Sequence, residues 1–179
     1  MAWTTPKTWV ASEQVDASEM NTELRDNLNE TAPGKASGAG NLIVTDGANS
    51  IVERTPNGNT VATAETTTST SYTDLATNGP ARTVVTGTAA FVILTCQIQN
   101  NTAGGVSFMG FTVSSATTIA AADSRAFYFE SNAAGDRMRA SAVVFVSNLT
   151  AGSNVFTAAY RVSAGTGTFA VRDISVIPL

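Results

Sequence analysis

Histidine is absent from the 179-residue chain, and Cys96 is its single thiol. The first absence excludes a histidine-based triad, a His-ligated zinc and an imidazole acid–base step. The second excludes an internal disulfide, so the fold has to be stable without staples. Charge is scarce too, at 13% of residues against about 25% in ordinary soluble domains. Fourteen acidic side chains against ten basic ones leave a formal charge of −4. No clustered cation surplus exists to neutralise phosphates, so no nucleic-acid partner is expected. The longest apolar run, Ala89 to Leu94, ends at Thr95, far short of the ~20 residues of a membrane span. The opening Met1 to Lys7 lacks a basic region followed by an apolar core. Neither a secretion signal nor a membrane partner is expected, and the chain reads as one that folds in the cytoplasm.

What is present falls into three regions: an arm over residues 1–30, a connector over 31–69 and a β domain over 70–179. Trp3, Pro6 and Trp9 punctuate the arm, and Pro6 pushes Thr5 toward extended backbone. Asp16 with Glu19 three positions on predicts a capping box. Met20, Leu24 and Leu28 then recur at i, i+4 and i+8, an apolar stripe on a helix from about residue 17 to 29. So short a helix needs a surface to dock on. That surface is either its own domain or another protein. In the second case Trp3, Pro6, Trp9, Met20, Leu24 and Leu28 are the partner-binding residues.

The connector opens with the turn-prone run Ala32 to Gly40. Asn41 to Val44 and Ser50 to Arg54 read as a β-hairpin turned at Asp46-Gly47. Pro56-Asn57-Gly58 reads as a second turn, and the Thr-rich stretch at Thr66 to Thr70 as extended backbone.

From Thr70 onward eight strands are predicted: 70–75, 82–86, 89–100, 106–113, 125–130, 137–147, 154–163 and 168–178. Glycine-containing turns separate most of them, and no helical period intervenes. The expected fold is an all-β, antiparallel jelly-roll sandwich. In the third strand Val92, Leu94, Cys96 and Ile98 share a face. In the last, Ala170, Ile174 and Val176 oppose Asp173 and Ser175, with Phe169 and Ile177 on the second face. Two stretches, Ala126 to Phe129 and Ala142 to Val146, are apolar on both faces. One face of an antiparallel sandwich strand should be wet. The second apolar face therefore implies a neighbouring subunit, with Phe127, Phe129, Val143 and Phe145 as oligomer-interface candidates.

Chemistry is sparse. Asp123, Glu130, Asp136 and Asp173 show no spacing that pairs two carboxylates for glycoside cleavage. The Asp46 region is too poor in carboxylates for a calcium loop. No Gly-Lys-Ser/Thr phosphate loop occurs. Cys96 sits on an apolar strand face, where an inert thiol is expected. No catalytic residue, metal ligand or cofactor is expected.

The arm carries a resemblance. The segment Trp3-Thr4-Thr5-Pro6-Lys7-Thr8-Trp9-Val10, followed by Asn21-Thr22-Glu23-Leu24-Arg25-Asp26-Asn27-Leu28, resembles the N-terminal signature of small virion structural proteins of tailed bacteriophages. In that group a WTTP-x-TWV segment leads to an N-T-x-L-R-D-N-L helix. Gly40 to Gly47 is similar to the hairpin that often follows, and the tail from Ser69 is similar to appended jelly-roll domains. The resemblance implies a non-enzymatic virion protein, made in the bacterial cytoplasm and placed on the capsid surface. The expectation is a capsid decoration (cement) protein, a homotrimer through its jelly roll. Its arm would grip the major capsid protein or neighbouring decoration subunits. The competing expectation is a tail-fibre or head-fibre tip that holds a host-surface glycan against aromatics such as Tyr72 or Tyr128.

Overall fold

Strict alternation along Ala90–Asn100 becomes a strand whose even-numbered side chains all point inward: Val92, Leu94, Cys96 and Ile98 are fully buried. A computed structural model describes residue 5 and residues 7–179, so Trp3 and Pro6 lie outside the described residues. The chain divides into two units, Met1–Thr55 and Pro56–Leu179.

In the first unit, residues 17–29 form one helical run. It is α-helical over Ala17–Met20, π-helical over Asn21–Asp26 and α-helical again over Asn27–Asn29. The capping box is present: Glu19 N–H donates to Asp16 Oδ1 at 2.9 Å, and Asp16 N–H donates to Glu19 Oε2 at 3.4 Å. Strands β1 (Leu42–Gly47) and β2 (Ser50–Arg54) form the expected hairpin. Its turn lies at Ala48-Asn49 instead of Asp46-Gly47, with Asn49 in the left-handed region at φ 55°, a conformation asparagine tolerates well.

The second unit contains β3 (Asn57–Val61), β4 (Glu65–Thr67), β5 (Ala81–Thr86), β6 (Ala90–Asn100), β7 (Val106–Ser115), β8 (Phe127–Glu130), β9 (Arg137–Val146), β10 (Gly152–Val162) and β11 (Gly167–Pro178). One sheet runs β5-β10-β7-β8 and the other β3-β11-β6-β9, with β4 also on β11. All pairings are antiparallel. With β4 set aside and the other eight taken in chain order, the sheets contain the second, seventh, fourth and fifth strands and the first, eighth, third and sixth. That is jelly-roll connectivity, two Greek keys wrapped around one core.

Between the sheets lie Met109 and Phe111 from β7, Phe156 and Tyr160 from β10, and Phe169 and Ile174 from β11, all fully buried. Phe111 meets Phe156 at 6.2 Å between ring centroids, and Tyr160 meets Phe169 at 4.9 Å. The Tyr160 hydroxyl donates to the Gly79 carbonyl at 2.9 Å, which satisfies it inside the core. Burial pushes the Cys96 thiol up to about 12, so it stays protonated at neutral pH.

Several strand expectations change. Asn57 and Gly58 are not a turn but the start of β3, paired with β11. Most of the sequence-expected strand 70–75 is irregular, and its only bridge is Thr73 to Tyr160. In β11 a bulge between Ala170 and Asp173, with Val171 at φ 47°, inserts an extra residue opposite β6. The bulge reverses side-chain parity. Phe169, Arg172, Ile174 and Val176 therefore point inward, while Ala170 turns away from Ile174, contrary to simple alternation.

Candidate functional site

The arm stripe is exposed: Met20, Leu24 and Leu28 are 45%, 51% and 63% accessible. Trp9 is also exposed, with Lys7 Nζ 4.6 Å from its ring centroid. Lys7 Nζ pairs with Glu13 and, at 2.6 Å, with Glu19, and its backbone N–H donates to Glu23 Oε2 at 2.8 Å. Hydrogen bonds from Lys7 to Glu13 and then Glu19 raise the lysine pKa above its ordinary value. This network ties the extended segment to the helix while the helix's apolar side chains stay outside.

The four interface candidates separate. Phe127 is buried in the core and Phe129 packs against it, so these two complete the chain's own sandwich and are not available to a partner. Between them Tyr128 points out, 60% exposed. Val143 and Phe145, 65% and 54% exposed, lie on the outer face of the β3-β11-β6-β9 sheet. Register places Phe145 opposite Phe91, which is opposite Ile177, and Val143 opposite Ile93. The Phe91 and Phe145 rings stand 5.1 Å apart. These five side chains form an apolar patch beside the unpaired edge of β9.

On the other sheet's outer face, Tyr128, Phe108 and Arg161 stand in one row across β8, β7 and β10. The Arg161 guanidinium lies 3.8 Å from the Phe108 ring centroid. Asp123, from the 3₁₀ turn Asp123–Arg125, accepts from Arg161 Nε at 2.8 Å and again from Arg161 Nη2. The Tyr72 hydroxyl donates to the same carboxylate at 2.9 Å. Arg161, and then the Tyr72 hydroxyl, hold the Asp123 pKa below the usual carboxylate range. Burial first, with Asp123 adding, raises that of Tyr72. Asp123 is therefore a half-exposed turn carboxylate that anchors an ion pair. Asp136 accepts from the Ala133 N–H, and Asp173 accepts from the Ser175 hydroxyl on its own strand and the Thr60 hydroxyl of the neighbouring β3. Among the described residues no three Cys, Asp or Glu side chains gather as a metal-ligand set, and no helix is long and apolar enough to cross a membrane.

Tyr72, Thr73, Asp74, Thr112, Ala120, Ala121, Thr157 and Ala159 line an open cleft of about 500 Å³ on this face. Sequence reasoning singled out Tyr72 as an aromatic but had no signal that it would meet Asp123 and Arg161.

No family model and no curated protein matches the chain. Among solved structures it is similar to dimeric latent PorU from Porphyromonas gingivalis at 14% identity and a TM-score of 0.25, over 75% of this chain and 14% of that one. No argument rests on a likeness of that extent.

Proposed function

We propose that the protein is a non-enzymatic structural component of a tailed-phage virion, a capsid decoration protein attached through its N-terminal unit. The observation that carries this reading is the exposed stripe Met20, Leu24 and Leu28, on the helix whose sequence bears the phage-type motif. Each of these side chains would contribute on the order of 1.5–3 kcal/mol on full burial, before ordering costs. The occupant is the major capsid protein or a neighbouring decoration subunit. Assembly as a homotrimer uses the patch of Phe91, Val143 and Phe145, and three arms then reinforce one another by avidity.

Deleting residues 1–30, or combining Trp3→Ala with Trp9→Ala, should leave the β domain folded and trimeric but abolish incorporation into particles. Leu24→Asp should weaken incorporation. Truncated protein that still enters particles at normal occupancy would move the attachment site to the jelly roll. The competing reading, a fibre tip that holds a host glycan, draws support from the cleft beside Tyr72. Hundreds of copies per particle, counted by mass spectrometry, support decoration; three to a few dozen support a fibre.

A further inference from the structure

The cleft on the β5-β10-β7-β8 sheet has a floor built from small residues. Gly110 and Ala159 are opposite each other in register, and in the next row Thr112 is opposite Thr157. Tyr72 lies over Gly110 so closely that a Cβ there would sit 3.0 Å from its ring. The ring is held in place by the hydroxyl's bond to Asp123. Thr73, Asp74, Ala120 and Ala121 complete the lining. Thr73 exchanges backbone hydrogen bonds with Tyr160 at 3.0 and 2.9 Å, which fixes the Tyr72 segment on the sheet.

The chemistry of this lining selects its ligand. Arg161, 5.6 Å from the Tyr72 ring centroid, is committed to Asp123. Asp74 is exposed and makes no ion pair among the described residues, while the Arg125 guanidinium donates to the carbonyl of the lining residue Ala120 at 2.7 Å, so the charges around the cleft balance and give a phosphate, sulfate or carboxylate no net attraction. The Thr112 hydroxyl donates to the Thr157 carbonyl at 3.4 Å, but the Thr73 and Thr157 hydroxyls make the lining too polar for a hydrocarbon, whose burial would strand them. A molecule with an apolar ring face and a rim of hydroxyls satisfies both parts. Its C–H face lies against Tyr72 and the alanine methyls, and its hydroxyls donate to Asp74 or exchange with Thr157. The ≈ 500 Å³ volume falls within the usual size of small-molecule sites, about 300–1,000 Å³.

We propose that this cleft is a binding site for a neutral saccharide, with Tyr72 as the stacking surface and Asp74 as the principal hydroxyl acceptor. The site does not depend on where the protein sits in a particle, since a decoration trimer and a fibre tip would both present a jelly-roll face.

The test is a glycan array of neutral and acidic oligosaccharides probed with the full chain, followed by calorimetry with the best-bound neutral glycan. Two variants at exposed positions keep the fold out of question: Asp74→Ala removes the acceptor, and Ala120→Trp fills the cleft. Neutral glycans should bind, and each variant should weaken binding about tenfold or more while the melting temperature is unchanged. Asp74→Ala protein should still enter particles normally, which separates this site from arm-mediated attachment. Binding of no glycan, binding of acidic glycans alone, or affinity unchanged in both variants overturns the proposal.

Discussion

Arg172→Met should destabilise the jelly roll more than any other single replacement of a charged side chain in the second unit. Arg172 is completely buried. It donates to the carbonyls of Thr63, Thr77 and Gly79 at 3.3–3.4 Å and to Glu65 Oε2 at 3.1 Å, with the Tyr160 ring centroid 5.4 Å away. It therefore binds both ends of the segment 63–79, which carries Tyr72 and Asp74. Methionine fills much of the volume but takes the side-chain donor from the Thr63 and Thr77 carbonyls and the cation from the 13%-exposed Glu65 carboxylate, while the Gly79 carbonyl keeps its bond from the Tyr160 hydroxyl. Removing one partner of a fully buried pair costs about 3–5 kcal/mol. Glu65 keeps its bonds from the Thr77 N–H and hydroxyl, and the carbonyl contacts are long, so about 3 kcal/mol is expected. That corresponds to a fall of about 10 °C in melting temperature. Glu65→Gln should cost about 1 kcal/mol, and the double variant less than the sum, because the two side chains share one interaction. Urea unfolding followed by far-UV circular dichroism measures all three. A loss below about 0.5 kcal/mol for Arg172→Met, the range of ordinary surface substitutions, would show that the guanidinium does not hold this segment.

Two further perturbations address oligomerisation and pH. Val143→Asp with Phe145→Asp should convert the proposed trimer to a soluble monomer of unchanged melting cooperativity, read by sedimentation velocity against the unaltered chain; a variant that stays trimeric places the interface elsewhere. Ser37 and Asn41 donate to Glu53, and these bonds, Ser37 first, lower its pKa from 4.5 to about 2. A depressed carboxylate stabilises the folded state above its unfolded value, and that contribution is lost as pH falls through the folded value. The β1–β2 hairpin should therefore loosen between about pH 4.5 and 2. In Glu53→Gln protein this acid-dependent step should disappear, as followed by amide hydrogen exchange.

How much of this was readable along the chain differs from element to element. The β6 alternation, the capping box at Asp16 and the spacing of the apolar stripe on the helix all depend on neighbours within a few residues, so local pattern suffices; that the stripe is exposed came only with the structure. The doubly apolar run Ala126 to Phe129 shows where pattern fails. Phe127 and Phe129 point into the core and Tyr128 out of it, so the run is an ordinary alternation with a large aromatic on the wet side. Ala142 to Val146 reads the same way until burial is known, and there Val143 and Phe145 do remain exposed.

Sequence alone determined the all-β class, because β-branched and aromatic alternation punctuated by glycine turns admits no helical packing over residues 70–179. It also determined what chemistry is impossible in a chain without histidine. Tertiary structure alone decided the rest. The bulge at Val171 reverses parity in β11 and sends Arg172 inward, a choice set by the partner strand and invisible in the strand's own composition. Tyr72 meets Asp123 across 51 residues, and Arg161 meets Asp123 across 38. Such contacts arise only when two Greek keys fold distant segments onto one sheet face, so the cleft they support exists in the fold and nowhere in the linear pattern.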